Sequence, residues 1–140
     1  MKKVYLLISL VTLFLIGCKD EVSDKKDLHM LSRVDVFPIV EGTKMEEFLI
    51  VDEKELSSIR KVFEQVQWTP NVEAEMERME DFQLTLFYTY NENMPERLFE
   101  YKIWFNEDGT ATIISNVARE NFGKLDKDGA EELKEILSVD

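Results

Sequence analysis

The chain predicts an α+β domain. The expected architecture is an antiparallel sheet of about five to six strands, in the order β-β-α-β-β-β-(β)-α, with two helices packed on one face. Three observations carry this. Residues 82–90 and 98–106 alternate in two registers, with Phe82, Leu84, Leu86, Tyr88 and Tyr90 on one row and Phe99, Tyr101, Ile103 and Phe105 on the next. A period of two with an aromatic face marks half-buried strands. Leu56, Ile59, Val62, Phe63 and Val66, and later Ala130, Leu133, Ile136 and Leu137, recur instead at helical spacing.

The elements follow in order. Ser32 to Val40 mixes β-branched and aromatic residues and predicts a first strand. Pro38 lacks a backbone donor, so that strand should lie at an edge or end near the proline. Glu41-Gly42-Thr43 turns the chain, and Glu47 to Val51 predicts a second, antiparallel strand. Asp52 can cap a helix over about 53–66, with Glu55 completing a capping box and Val51 stapled to Leu56. Thr69-Pro70-Asn71 ends it, and 67–81 is expected to be a loop with one helical turn.

The two aromatic strands then form a hairpin through Asn91 to Glu96, with Phe82 expected opposite Phe105 and Leu84 opposite Ile103. Asn106-Glu107-Asp108-Gly109 is a second hairpin turn, in which Gly109 can take positive φ. A third strand over 110–116 follows, with Ala111 and Ile113 on the buried face, and residues 120–125 add a short fourth. Asp126 caps the last helix, 127–138.

The start of the chain is of a different kind. Lys2 and Lys3 precede an apolar run, Val4 to Ile16, broken only by Ser9 and Thr12. It ends at Leu15-Ile16-Gly17-Cys18, and charged Lys19-Asp20-Glu21 follows. The run is short for a membrane-spanning helix, which takes roughly 20 apolar residues, and has the ordinary parts of a secretory signal. It resembles a bacterial lipoprotein signal peptide with its lipobox. That resemblance implies cleavage between Gly17 and Cys18 and a diacylglyceryl group on Cys18. The expected organisation is a cleaved signal over 1–17, a lipidated cysteine and flexible tether over 18–31, and a single domain over 32–140. Two acyl chains hold a protein stably on a membrane where one holds it marginally. The expected location is the extracytoplasmic face of the cell membrane.

Charge narrows the partners. The net charge of −12 becomes −14 when Lys2 and Lys3 leave with the signal. That argues against nucleic acid, whose footprint is a basic patch, and against electrostatic attraction to anionic lipid. With Cys18 acylated, no thiol remains for a nucleophile or a disulfide. His29 is the only histidine and lies in the tether region, so neither a Ser-His-Asp set nor a Cys/His zinc site can be assembled. No metal and no cofactor are expected. Lys54, Ser57, Ser58 and Lys61 share the wet face of the first helix and read as solvated surface. Asp126-Lys127-Asp128-Gly129 has its glycine in the wrong place for a calcium loop and reads as a cap.

The sheet face away from the helices carries Phe87, Leu98 and Trp104 among Gln83, Thr85, Glu100 and Lys102. Left open, it is a candidate partner-binding face. Trp68, the 67–81 loop or the first strand can instead fold over it. The signal, the 123 residues left after it, and the run from Asp81-Phe82-Gln83-Leu84 through Tyr101-Lys102-Ile103-Trp104 resemble small YhfM-like lipoproteins of Bacillus-type bacteria. That resemblance implies a β-β-α unit before an aromatic meander and a closing helix, and it brings no catalytic residues. The expectation is a lipid-anchored cell-envelope protein, a non-enzymatic binding or accessory module for another envelope protein or a wall ligand. The alternative is a small envelope enzyme or inhibitor acting on wall polymer or peptides through loop carboxylates.

Overall fold

The computed structural model describes residues 28–138. Gly17, Cys18 and most of the expected tether lie outside the described residues. The domain begins earlier than position 32: a single 3-10 turn, Leu28–Met30, leads into β1, Leu31–Val40, and Leu31 is already buried in the core. β2 (Thr43–Lys44) and β3 (Phe48–Ile50) both pair with β1. Then come α1 (Glu53–Gln65), β4 (Gln67–Thr69), β5 (Phe82–Tyr88), β6 (Arg97–Phe105), β7 (Ala111–Ser115), β8 (Phe122–Leu125) and α2 (Lys127–Leu137). The strands form one eight-stranded sheet in the spatial order β2-β1-β5-β6-β7-β8-β4, with β3 beside β1, and every named pair is antiparallel. The α+β class, the element order and the two helices stand as expected; the strand count is higher.

The two unexpected strands, β2 and β4, are two and three residues long. Such fragments carry no readable period of their own, and distant partners make them strands. β2 follows a turn whose central residues, Glu41 and Gly42, have φ of 49° and 76°. Two positive φ values match the twist of a tight hairpin. β4 pairs with β8 across the sheet edge, Trp68 opposite Gly123. A Cβ on Gly123 would lie 2.7 Å from the Trp68 ring and 2.6 Å from Val66. The missing side chain is therefore the space into which the indole fits. Residues 72–81 contain no helical turn.

Pro38 sits near the end of the β1–β5 ladder, opposite Phe82. Its carbonyl accepts from the Met45 amide at 2.8 Å, so the donor it lacks would face the gap between β2 and β3. The Asp52 carboxylate caps α1 by accepting from the Lys54 and Glu55 amides at 3.0 and 3.2 Å. Val51 is 63% exposed, so the expected staple to Leu56 is not a buried contact. Asp126 caps α2 through the Gly129 amide at 2.9 Å.

The hairpin register differs from expectation by two residues: Phe82 pairs with Ile103 and Leu84 with Tyr101. A slip of two keeps each side chain on its face, which is why the pattern could not detect it. Asp81 sets the register. Its amide donates to the Ile103 carbonyl at 2.8 Å, and its carboxylate accepts from the Phe105 amide at 2.7 Å. Phe82 and Phe105 still meet on the diagonal, edge to face, with centroids 6.0 Å apart. The β6–β7 turn closes as expected, Asn106 pairing with Thr110 around three residues and Gly109 at φ 86°.

One core lies between the helices and one face of the sheet. Val34, Val36, Leu84, Leu86, Tyr88, Tyr101, Ile103, Ala111, Ile113 and Leu125 meet Leu56, Ile59, Val62 and Phe63 of α1 and Ala130, Leu133 and Leu137 of α2. Among the described residues no helix is long and apolar enough to cross a membrane.

Candidate functional site

The three residues expected on the open sheet face have separate fates. Trp104 and Phe87 are buried, and Leu98 remains exposed. The segment 72–81 crosses the β6 end of that face, and its polar groups hold it there. The Arg78 carbonyl accepts from Trp104 Nε1 at 2.9 Å. The Arg78 guanidinium donates to both oxygens of Asp81 at 2.7 and 2.9 Å and to the Phe105 carbonyl at 2.7 Å. At the other end the Arg33 guanidinium lies over the Phe87 ring at 3.8 Å and pairs with Asp35. The face is therefore covered in part, Trp104 by the 72–81 segment and Phe87 by Arg33 of β1, while Leu98 stays open.

Glu80, within this strap, is itself buried. Burial alone would raise its pKa. The Gln83 amide, its own backbone amide and the Lys102 ammonium, 3.3 Å away, outweigh that and hold it below the ordinary carboxylate range. Each of its neighbours is spoken for, and the arrangement is that of a structural carboxylate.

A different group of residues forms a cleft at the start of β6. β6 begins at Arg97, whose Cα partner is Tyr88. Two residues beyond Tyr88, the Tyr90 ring stacks on it with centroids 6.3 Å apart, and the Arg97 guanidinium lies 5.0 Å from the Tyr90 centroid. Across from them the loop after β7 is tied down at both ends. Asn116 accepts from the Glu100 amide through Oδ1 at 3.1 Å and donates its own amide to the Glu100 carbonyl at 3.2 Å. The Val117 carbonyl then accepts from the Glu120 and Asn121 amides. Asn121, at φ 54°, accepts the Val72 amide on its side chain at 2.7 Å. A cleft of about 260 Å³ opens between these parts, lined by Tyr90, Arg97, Leu98, Phe99 and residues 116–119.

Behind it stand the two buried tyrosines. Phe99 packs edge to face on Tyr88 with centroids 5.3 Å apart. Tyr101 donates its hydroxyl to Glu120 at 2.8 Å, and Ser115 donates to the same carboxylate oxygen at 3.0 Å. Burial first, and the nearby Glu120 charge second, push both phenols well above the ordinary tyrosine range. Both therefore stay protonated near neutral pH, and Tyr101 acts as a donor that orients Glu120.

Of the candidate residues read from the sequence, only Leu98 lines this cleft. Tyr90, Arg97, Asn116 and Arg119 were missed. A signal for them does exist: the chain has five arginines against 29 acidic residues, and two of the five flank the aromatic meander. Among the described residues no three His, Cys, Asp or Glu side chains converge as a metal site.

No protein-family model matches the chain, and no curated protein matches it either. Among solved structures the chain is similar to a thioesterase-like protein from Clostridium sporogenes. The two are 25% identical, the match covers 78% of this chain and 96% of that one, and the TM-score is 0.52. The likeness therefore spans nearly all of that protein, and it agrees with an α+β sheet-and-helix architecture.

Proposed function

We propose that the chain is a lipid-anchored protein of the cell envelope, held at the extracytoplasmic face of the cell membrane through Cys18, whose domain is a non-enzymatic binding module. The anchor is supported by the sequence alone: the basic start, the short apolar run and the Leu-Ile-Gly-Cys junction. One observation supports binding, the cleft beside Tyr90 with its two arginines on an otherwise acidic chain. Metabolic labelling with a fatty-acid analogue tests the anchor. Label is expected on the wild type and lost in Cys18→Ala; label that survives that substitution, or never appears, sinks it.

The similarity to a thioesterase-like protein favours a second reading, a small envelope enzyme acting through a loop carboxylate on an acyl thioester. Glu120 is the carboxylate best placed for this, in the loop beside the cleft and oriented by Tyr101 and Ser115. Release of thiol from a short acyl thioester separates the two readings. The binding module is expected to give no release above the buffer blank. Turnover that disappears in Glu120→Gln would replace it with the enzyme.

A further inference from the structure

The five arginines divide into two groups. Arg33 pairs with Asp35, Arg60 with Glu53 and Arg78 with Asp81. Arg97 and Arg119 form no ion pair among the described residues, and both line the cleft beside Tyr90. The acids close to them in sequence are engaged elsewhere. Glu96 accepts from Ser32 and Thr89 at 3.2 and 3.4 Å. Glu120 accepts from Tyr101 and Ser115. Glu100 lines a separate pocket, with Thr85 and Lys102. No carboxylate is among the eight residues lining the cleft.

Two uncompensated guanidiniums in one concavity form a local positive spot on a protein whose net charge repels anions elsewhere. A guanidinium offers paired N–H donors that match the oxygens of a phosphate or carboxylate. Stacking on Tyr90 engages the face of Arg97 and leaves its edge donors available. Two such charges suit a doubly charged phosphate, because a carboxylate neutralises only one. Apart from Asn116, the rest of the lining is apolar or aromatic: Tyr90, Phe99, Val117, Ala118 and Leu98, the last 52% exposed. A volume of about 260 Å³ is small against the roughly 300–1,000 Å³ of drug-sized pockets. It suits a phosphate with a short organic body.

We infer that this cleft binds an organic phosphate, its phosphate held by Arg97 and Arg119 and its organic body resting on Tyr90, Phe99 and Leu98. The inference rests on the binding-module reading and names the ligand class for it.

Calorimetric titration of the full-length protein in non-ionic detergent tests it with three probes: hexyl phosphate, hexanoate and dihexanoylphosphatidic acid, whose headgroup is a phosphate monoester. Saturable binding of a phosphate probe is expected, about tenfold tighter than hexanoate. Arg97→Ala and Arg119→Ala should each weaken it about tenfold, the double variant should abolish it, and Arg97→Lys should lose severalfold because the fork is gone while the charge remains. Both arginines are exposed, so an unchanged thermal midpoint verifies that each variant folds. Tighter binding of hexyl phosphate points to a soluble phosphate monoester, and tighter binding of the phospholipid points to a lipid headgroup; either supports the site. Hexanoate binding as well as or better than both phosphates overturns the ligand class and leaves the binding module standing. Phosphate binding that persists in the double variant overturns the site. Silence from all three probes overturns both readings at this cleft.

Discussion

Ile103 and Trp104 are neighbours on β6 and are both buried, yet different chemistry buries each. Ile103 faces the helices, where apolar side chains from the sheet, α1 and α2 fit against one another. Trp104 faces the other way, under a strap of residues 72–81 held by hydrogen bonds. Its indole N–H meets the Arg78 carbonyl, Arg78 meets Asp81 and Phe105, and Glu80 meets Gln83 and Lys102. One face is closed by shape, the other by polar groups that must find one another. The first kind of closure fails by leaving a void. The second fails by unpairing a donor or protonating a carboxylate.

The largest expected effect is on the shape-closed face. Ile103→Ala removes a fully buried side chain from between its cross-strand partners Phe82 and Ile113 and should cost about 2–5 kcal/mol, read from urea unfolding at pH 7. Trp104→Phe tests the other face. It keeps an aromatic ring and removes the donor to Arg78, and should cost about 1–2 kcal/mol. It should also speed amide hydrogen exchange selectively over residues 72–81. Equal costs, or exchange that rises uniformly across the domain, would erase the distinction between the faces.

Legibility in the sequence follows the same division. Periodicity exposed everything that buries an apolar row: α1, α2, the aromatic rows of β5 and β6, and Ala111 and Ile113 on β7. It could not expose a register, because a slip of two residues leaves each face intact, and the register depends on one carboxylate, Asp81, bonding across to β6. It could not expose β4, which exists because Gly123 leaves room for Trp68. The strap was legible only as an alternative, since its hold on the sheet runs through the Arg78 backbone carbonyl and a salt bridge, neither of which has a pattern. The cleft was missed for a related reason. Its arginines are separated by a strand, a turn and a second strand, and only the antiparallel β6–β7 pairing brings the ends together. Charge scarcity was the available clue, two arginines on an acidic meander. The proposed lipidation at Cys18 rests on the sequence alone, on the apolar run and the Leu-Ile-Gly-Cys junction.

The smallest effect is the sharpest test of the polar face, because it depends on pH. Glu80 is held below its ordinary value of 4.5 by Gln83, its own backbone amide and Lys102, against the opposing effect of burial. A carboxylate whose folded pKa is depressed contributes stability that is present above the unfolded pKa. That contribution disappears as pH falls through the folded value. Glu80→Gln keeps the shape and an acceptor for Gln83 but removes the titrating charge. Lys102 is exposed and returns to water at little cost. The wild type should therefore exceed the variant by about 1 kcal/mol at pH 7. The two unfolding curves should converge as pH is lowered through and below the ordinary carboxylate range. Ile103→Ala, on the face without a titrating group, should keep the same deficit across that range. If the Glu80→Gln gap stays constant with pH, the carboxylate acts by shape alone and the strap is closed in the same way as the core.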